Sequence, residues 1–299
     1  MRSSISVIIP TLNNAETLPR VLESLSLDPA VGEIIVVDGG SIDRTVDIAK
    51  EHGCTVFIEE GPIKCPANAR NQGARSARYE ILCFLEGDLD HFSPGFFSEI
   101  ARTFEDRDVV ACTWQSRIVE DKLSEKLHRR FVDLNLFMKR AREPRVVTAI
   151  RKDVFEAIGG YPLVGANDDV LFTKRVEEYA RINGKRIAEL GVTSYYHRVH
   201  SFRALMRQAV WVGRTYHSLK RNALFGGLLG SLIAVIFAPF IHPALAIPYL
   251  IRVGGAIFLA GRRRDVFYLA FPIIDVLYSV FYFIGYFQHF RSKELGRGV

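Results

Sequence analysis

Short apolar runs alternate with amphipathic stretches through the first 115 residues of the chain. Apolar, β-branched runs bounded by turn residues are typical of buried strands, and apolar positions spaced about three or four apart predict helices. The alternation predicts an α/β, Rossmann-like domain with a mostly parallel sheet and helices on both faces. The predicted strands cover 4–9, 33–37, 54–58, 81–85 and 109–112, and the predicted helices cover 15–26, 43–52, 66–77 and 94–106.

The pattern changes in the last third of the chain. Residues 201–222 carry an apolar stripe and a separate arginine stripe, which predicts an amphipathic helix in the headgroup layer of a membrane, or alternatively a surface helix on the first domain. Apolar segments follow at 223–241, 243–261 and 266–290, and each is long enough to cross a bilayer core of about 30 Å. The third segment either spans, is re-entrant with a bend near Pro272, or pairs its Asp275 with Arg252 of the second.

Charge follows the same division. Residues 200–299 hold 12 Lys and Arg against 3 Asp and Glu. Basic residues beside apolar segments indicate membrane topology, not nucleic-acid binding, and they favour a cytoplasmic face for the catalytic domain. We therefore expect a multi-pass protein of the cell membrane: a catalytic domain at 1–200, an interfacial helix at 201–222, two or three membrane helices at 223–290, and a tail at 291–299.

The N-terminus and the cysteines agree with this arrangement. The chain leads from its first residues directly into a strand, so we expect no secretory signal. The four cysteines are widely spaced and include no CxxC pair, which predicts reduced, mostly buried thiols in a cytosolic domain. They are Cys54, Cys65, Cys83 and Cys112.

Polar residues follow three of the predicted strands. In a parallel sheet, ligands bind beyond the carboxyl ends of the strands, so these groups should share one rim. They are the stretches 10–13, 38–41 and 86–90, which contain the candidate residues Pro10, Thr11, Asn13, Asp38, Glu86, Asp88 and Asp90.

The acids at 86–90 predict a metal site. Carboxylates two residues apart after a strand can reach one divalent cation, and Mg²⁺ or Mn²⁺ prefers such oxygen ligands. The pair is either Glu86 with Asp88 or Asp88 with Asp90. Asp38, followed by Gly39 and Gly40, could accept hydrogen bonds from a base or ribose; a turn acid is the alternative.

Together these motifs resemble family 2 glycosyltransferases with a GT-A fold. The resemblance covers roughly residues 4–200 in order and spacing. It rests on the stretches 6–13, 36–45, 69–73, 84–88, 158–162 and 168–175.

The resemblance implies a role for several residues. Asp38 would contact the nucleotide base, Asp88 would hold metal and diphosphate, Arg70 would lie near the phosphates, and Asp169 would be the catalytic base of an inverting reaction. The chain departs from the family in three places. Gly39 stands where a second acid is common, Glu86 replaces the commoner Asp, and Asn14 replaces an acid.

Asp168 and Asp169 open a predicted helix, where the alternative role is helix capping. A neighbouring acid raises the pKa of a carboxyl and a helix N-terminus lowers it, so an ionised base is compatible with neutral pH. Because a hydroxyl acceptor needs a base and a lipid phosphate does not, the pair favours a hydroxyl. His197 is a third metal or phosphate candidate, with a structural role as the alternative.

We therefore expect transfer of a sugar from a nucleotide-diphosphate donor to a lipid-linked glycan or polyprenyl phosphate at the membrane. A catalytically inactive sugar-nucleotide-binding scaffold of the same fold is the alternative. A NAD-dependent enzyme is disfavoured because no GxGxxG follows the first strand. A transporter is disfavoured because so few spans hold too few polar groups to line a pathway.

Overall fold

The computed structural model describes residues 4–119, 123–138, 146–164, 168–196, 203, 206–207, 209–210 and 247–294. The chain divides into two compact units. The first comprises Met1–Val119 and Pro144–His197, and the second comprises Glu120–Glu143 and Arg198–Val299. The segment 120–143 thus groups with the C-terminal unit, whereas the sequence-based division places it in the catalytic domain. The boundaries at 200, 222 and 290 stay predictions.

The first unit is built on an eight-stranded sheet with strand order β3-β2-β1-β4-β7-β6-β8-β5. Its strands are β1 Ile5–Thr11, β2 Val31–Asp38, β3 Thr55–Ile58, β4 Ile81–Phe84, β5 Leu89–Phe92, β6 Val109–Ile118, β7 Ala149–Arg151 and β8 Arg186–Tyr196. Its helices are α1 Leu18–Ser26, α2 Thr45–Glu51, α3 Pro66–Ser76, α4 Phe96–Thr103, α6 Lys152–Ala157 and α7 Asp168–Ile182, while α5 Leu123–Met138 belongs to the second unit.

Most strand pairs are parallel, as the sequence predicts. The pairs β1–β2, β1–β4, β2–β3 and β6–β8 run parallel. The pairs β4–β7, β6–β7 and β5–β8 run antiparallel. Strand β7 lies between β4 and β6 and reverses the direction of the sheet there, which the local pattern of its three residues did not reveal.

Helices cover both faces of the sheet. Alternate residues of β1 point to opposite sides, so Ile5, Val7 and Ile9 belong to one core with α1, α2 and α4, and Ile8 belongs to the other with α3, α6 and α7. In α1, four completely buried side chains recur at helical spacing, and each burial stabilises the fold by about 1.5–3 kcal/mol. They are Leu18, Val21, Leu22 and Leu25. The GT-A, Rossmann-like fold expected from the sequence is confirmed.

Helix α3 packs unusually close to β1. A Cβ added at Gly73 would lie 2.5 Å from Cγ2 of Ile8 and 3.3 Å from Cγ2 of Val37. A side chain at this position would therefore push the helix away from the sheet. Gly73 sets the distance between α3 and the central strands, and with it the position of Arg70 on the same helix.

The four cysteines are free thiols. Cys83 and Cys112 are buried in the core, whereas Cys54 and Cys65 are partly exposed. Burial raises the pKa of Cys54 to about 11 and raises that of Cys83 well above its usual value. A raised pKa leaves little thiolate at neutral pH, so these thiols are poor nucleophiles.

The second unit joins α5 to the C-terminal helices α8 Ile247–Arg263 and α9 Phe271–Glu294, with a 3₁₀ turn at Val266–Ala270 between them. Asp133 of α5 accepts hydrogen bonds from Nη1 of Arg263 at 2.8 Å and from the hydroxyl of Tyr268 at 3.0 Å. Arg130 of α5 donates from Nε to Oδ2 of Asp265 at 2.6 Å. These contacts tie α5 to both ends of the loop between α8 and the 3₁₀ turn.

Membrane association is supported at one place among the described residues. The stretch Val266–Gln288 is long and apolar enough to cross a bilayer, with a mean hydropathy of 1.8, and 44% of it is buried inside the protein. One such helix is weak evidence, since a core helix of a soluble protein has the same composition. The predicted segment 223–241 lies outside the described residues.

Arg252 pairs with Asp275, which was one of the alternatives considered for the third apolar segment. Arg252 donates from Nε to Oδ2 at 3.0 Å and from Nη2 to Oδ1 at 2.6 Å, and both side chains are buried. Of the predicted amphipathic helix, Met206 and Ala209 are buried and Arg203 is exposed. The remainder of 201–222 lies almost entirely outside the described residues.

Candidate active site

The carboxyl ends of β1, β2 and β3 are held in register at one edge of the sheet. Thr11 pairs with Asp38 as the last residues of β1 and β2. Beyond the strands, Gly39 N–H donates to the carbonyl of Thr11 and Glu59 N–H donates to the carbonyl of Asp38, each at 2.8 Å. The rim predicted from the sequence therefore exists, and it includes Glu59, which the sequence analysis did not single out.

Asp38 is 1% exposed and uses both carboxylate oxygens within the protein. Oδ1 accepts from the hydroxyls of Thr11 at 3.0 Å and Ser41 at 2.5 Å. Oδ2 accepts from the N–H groups of Gly40 at 2.9 Å and Ser41 at 2.7 Å. Asp38 thus shapes the turn at the rim, as the turn-acid alternative expects. A direct contact between Asp38 and the nucleotide base stays a prediction. The four hydrogen bonds argue against it, because they already use both carboxylate oxygens.

Asn13 fixes the same turn from β1. Its φ of 55° lies in the left-handed region, where asparagine is tolerated better than most residues. Its N–H donates to Oγ of Ser41 at 2.7 Å, and its Oδ1 accepts from the N–H of Ile42 at 3.0 Å. Pro10 lies one residue before Thr11 in the ladder with β2. The expected donor-side residues of β1 are therefore gathered against the 38–41 turn.

The loop that holds Glu86 and Asp88 contacts the loop after β1. The hydroxyl of Thr17 donates to the carbonyl of Gly87 at 2.6 Å, and the Asn14 side chain comes within 3.0 Å of the position a Cβ of Gly87 would take. Glu86 is exposed and Asp88 is half-buried. The 86–90 stretch thus contacts the residues that directly follow the 10–13 stretch.

Asp90 faces other partners. Its Oδ1 accepts from Nη1 of Arg20 at 2.8 Å, and its Oδ2 lies 2.8 Å from Nδ1 of His91. The His91 ring stacks on Tyr195 with centroids 4.2 Å apart. Since Asp90 is engaged with α1 and with its own neighbour, the pair Glu86 and Asp88 is the better candidate for a metal. The role of Asp90 as a ligand stays a prediction.

Arg70 joins the loop after β4 to the start of α7. It is 9% exposed and donates from Nη1 to Oδ2 of Asp168 at 3.0 Å, while its Nη2 lies 4.0 Å from Oε1 of Glu86. Its guanidinium also lies 5.1 Å from the ring centroid of Tyr161. Although burial alone lowers the pKa of Arg70, the surrounding Tyr161, Asp168 and Glu86 raise it above its usual value. Arg70 is a permanent cation among these acids.

The two acids of α7 differ in their surroundings. Burial raises the pKa of Asp168, partly opposed by Arg70 and reinforced by Asp169. Asp169 is half-buried, and its Oδ1 accepts from the N–H of Val170 at 2.7 Å, a local bond at the helix start. Asp168 therefore holds Arg70 in place, and Asp169 is the acid with solvent access.

A pair of hydrogen bonds between Asn71, which follows Arg70, and Tyr161 was not predicted from the sequence. Asn71 donates from Nδ2 to the carbonyl of Tyr161 at 2.9 Å and accepts from its N–H at 2.8 Å. The adjacent Gly160 has φ of 65°, and a Cβ there would lie 2.6 Å from Oδ1 of Asn71. The motif containing Asn71 was recognised, but its partner 90 residues away could not be read from local spacing.

The described residues contain no group of three or more His, Cys, Asp and Glu side chains arranged to hold a metal ion. Glu86 and Asp88 offer hard oxygen donors, which suit Mg²⁺ or Mn²⁺ only if a bound diphosphate completes the coordination. The third candidate ligand, His197, lies outside the described residues. The chemistry of the acids present fits a metal shared with a ligand.

The cavity of about 440 Å³ in the first unit lies elsewhere. Its lining residues precede β4 and β6, end β7 or lie in α6, so the cavity is at the opposite end of the sheet from the rim. They are Arg78, Tyr79, Glu80, Arg107, Arg151, Lys152, Asp153 and Glu156. Arg151 is committed to backbone carbonyls of Phe104, Asp106 and Val109. The converging rim residues therefore form the candidate site, and this cavity lies outside it.

Sequence comparison decides the family. The profile of Glycosyl transferase family 2 matches residues 6–214, more than half of the chain, and spans every rim residue described above. The chain belongs to Glycosyl transferase family 2. It therefore carries a glycosyltransferase domain, as the sequence motifs indicate.

Curated relatives cover the chain in part. Glycosyltransferase AglE of Haloferax volcanii is 28% identical over 190 residues, 58% of this chain and 61% of the relative. An uncharacterized glycosyltransferase of Haemophilus influenzae is 25% identical over 56% of this chain and 53% of its own length. A 4,4'-diaponeurosporenoate glycosyltransferase of Staphylococcus haemolyticus is 50% identical, but over only 18% and 14% of the two chains. The chain thus spans less than two thirds of each of these relatives.

Two solved structures show the same fold. Mannosyltransferase PcManGT from Pyrobaculum calidifontis, in complex with GDP-Man and Mn²⁺, has a TM-score of 0.54 at 17% identity over 98% of this chain and 88% of its own. Glucosyl-3-phosphoglycerate synthase from Mycobacterium tuberculosis, in complex with Mn²⁺, UDP and glucosyl-3-phosphoglycerate, has a TM-score of 0.51 at 20% identity over 73% and 78% of the two chains.

Proposed function

We propose that this glycosyltransferase moves a sugar from a nucleotide-diphosphate donor to a hydroxyl of a membrane-associated acceptor, with inversion at the anomeric carbon and with a divalent metal. Family membership supports the reaction class. The nucleotide and Mn²⁺ complexes of the two structural neighbours are compatible with such a donor and metal.

The observation that carries the proposal is the position of Arg70 between Asp168 and Glu86. Through it, the loop after β4 and the start of α7 come together although Glu86 and Asp168 are 82 positions apart in the sequence. A cation at this place would attract the diphosphate of a donor and would lie beside the metal-binding acids. The donor phosphates and Asp169 would then share one site.

In this proposal Glu86 and Asp88 would hold Mg²⁺ or Mn²⁺. The metal would offset the negative charge that develops on the departing nucleoside diphosphate. Arg70 adds a fixed positive charge on the same leaving group, and Asp168 keeps its guanidinium in position. Thr11, Asn13 and the 38–41 turn would form the donor side of the rim.

Asp169 is proposed as the general base. Its carboxylate would take the proton of the acceptor hydroxyl as that oxygen bonds to the anomeric carbon, while the bond from that carbon to the diphosphate oxygen breaks and the electron pair leaves with the diphosphate. Attack opposite to the leaving group inverts the configuration.

The membrane-associated acceptor is proposed from the C-terminal unit. The apolar stretch Val266–Gln288 follows the exposed Arg262, Arg263 and Arg264. Basic residues beside an apolar helix are typical of the cytoplasmic surface of a membrane, which supports this part of the proposal. A lipid-linked glycan would present a hydroxyl there, in agreement with a site that contains a base. A polyprenyl phosphate would not use Asp169 in this way.

The test is a transfer assay with the detergent-solubilised full chain, a set of UDP- and GDP-sugars, Mn²⁺ or Mg²⁺, and a membrane lipid extract. We expect metal-dependent release of nucleoside diphosphate and a new glycolipid. Donor binding without any release would favour the catalytically inactive scaffold. If no nucleotide sugar binds, both functions are wrong.

A further inference from the structure

Resting on this proposed function, we infer that Glu59 is the residue that selects the nucleobase of the donor, and that it selects bases with a ring N–H donor, such as uracil and guanine. Three features of the rim support the assignment: the contacts of the Glu59 carboxylate, the space beside Gly39, and the commitment of Asp38 to its turn.

Glu59 is a buried acid, 5% exposed, directly after β3. Its Oε1 accepts from the N–H of Cys65 at 2.8 Å and from Nδ2 of Asn68 at 2.9 Å. Among the described residues, none donates a hydrogen bond to Oε2. Burying a carboxylate oxygen without a hydrogen-bond donor is unfavourable. A ligand that donates a hydrogen bond to Oε2 would offset this cost.

Oε2 faces the rim at Gly39. A Cβ added at Gly39 would lie 3.4 Å from Oε2, 3.5 Å from the carbonyl of Thr11 and 3.7 Å from Cδ1 of Leu12. The missing side chain thus leaves a methyl-sized space beside Oε2, next to Leu12, which is 58% exposed. A base whose edge reaches this space would meet Oε2 and lie beside Leu12.

The chemistry of this space distinguishes among bases. Asp38, the other acid at this edge, has both oxygens saturated by its own turn. Oε2 of Glu59 accepts only, so it suits the ring N–H of uracil (N3) or guanine (N1). Cytosine and adenine present an unprotonated ring nitrogen at the same edge, and two acceptors would face each other.

The orientation of a glutamine at position 59 is determined by the same contacts. Cys65 N–H and Asn68 Nδ2 are donors, so the amide oxygen of Glu59→Gln must face them and the amide nitrogen must take the place of Oε2. The variant keeps both internal hydrogen bonds and presents a donor to the ligand. The variant should therefore prefer a base whose ring nitrogen accepts a hydrogen bond.

The experiment is calorimetric titration of the detergent-solubilised full chain with UDP, GDP, CDP and ADP in Mn²⁺. We expect UDP or GDP to bind tightest in the wild type, with CDP and ADP about ten- to a hundredfold weaker, the range of a charge-assisted hydrogen bond. The separate UDP and GDP titrations identify which of the two bases is used. In Glu59→Gln the UDP or GDP affinity should fall by about the same factor while CDP affinity rises.

The matched control is Glu60→Gln, which changes an exposed acid at the next position. The hydrogen bonds of Glu60 are made by its backbone, whose N–H donates to Gln72 and whose carbonyl accepts from Asn68, so the substitution leaves them intact. This variant should keep the wild-type order of affinities. An unchanged order in Glu59→Gln, with normal binding by the wild type, overturns the assignment of Glu59 and leaves the transferase proposal standing. Absence of binding of all four nucleotides by the wild type overturns both.

Discussion

Arg70 and Asp168 form a buried ion pair, with Nη1 and Oδ2 3.0 Å apart, between helices α3 and α7. Their side chains are 11% and 13% exposed, and 98 residues separate them. The pair fixes the cation of the candidate site against the helix that carries Asp169. Its removal should therefore affect both stability and donor binding.

Asp168→Ala should destabilise the protein by about 3–5 kcal/mol, because the buried guanidinium of Arg70 loses its closest counter-ion. Thermal unfolding of the full chain in detergent measures the change. Asp47→Ala is the control, since Asp47 also lies in the first turn of a helix but is exposed, and its loss should cost less than about 1 kcal/mol. Equal effects of the two substitutions would show that the ion pair adds nothing beyond helix capping.

Asp169→Asn should abolish sugar transfer while donor affinity stays within about twofold of the wild type, because the amide cannot accept the acceptor proton. Single-turnover transfer and titration with the donor give the two values. Turnover at the wild-type rate would exclude Asp169 as the base.

Asp88→Ala should weaken binding of the nucleotide sugar, and added Mn²⁺ should not restore it, because the variant lacks a metal-binding oxygen. A loss of about tenfold or more is expected, measured by donor titration at increasing Mn²⁺. Asp90→Ala serves for comparison: its carboxylate is bound to Arg20, so donor affinity should change little. The reverse order of effects would assign the metal to Asp90.

The local sequence pattern was sufficient to predict that the polar residues after the strands lie together, because parallel strands bring their carboxyl ends to one edge of the sheet. Thr11, Asp38 and the loop of Glu86 and Asp88 are there as expected. The pattern could not reveal that Asp90 is bound to Arg20, 70 residues away, or that Thr11 of the neighbouring strand donates to Asp38. Such partners depend on long-range packing. Glu59 could have been found by the strand-end rule that identified Asp38, had the rule been applied to the third strand.

The position of β7 in the sheet could not be predicted from the local sequence pattern. It is three residues long, and its pairing with β4 and β6 follows an excursion of the chain into the second unit. No periodicity within three residues can specify either its direction or its neighbours.

Gly73→Ala should destabilise the protein by about 1–3 kcal/mol, because its methyl group would overlap Ile8 in the packed layer between α3 and β1. Gly191→Ala is the control, since no atom lies within 4 Å of a Cβ at that position. Thermal unfolding of both variants provides the comparison. A wild-type melting temperature for Gly73→Ala would mean that α3 can shift away from the sheet without loss.

Glu33 should make stability depend on pH. Although burial alone raises its pKa, hydrogen bonds from Ser6 and Arg78 hold the pKa of Glu33 below 4.5. A lowered carboxyl pKa stabilises the folded state above the unfolded-state value, and this stabilisation is lost as pH falls through the folded-state pKa.

Glu33→Gln should therefore cost about 1–2 kcal/mol at pH 7 and less at about pH 3. Denaturation curves at the two pH values measure this, with the exposed Glu23→Gln as the control that changes at neither. A constant difference between wild type and Glu33→Gln across this range would contradict the ionic origin of the effect.

Because α5 leaves the first unit after Val119 and is bonded to Arg263, Asp265 and Tyr268, the catalytic portion of this enzyme is not one continuous stretch of gene. A truncation at residue 200 would remove those partners and expose the apolar side of α5 to water. Anyone seeking a soluble catalytic fragment should also replace residues 120–143 with a short linker between β6 and β7.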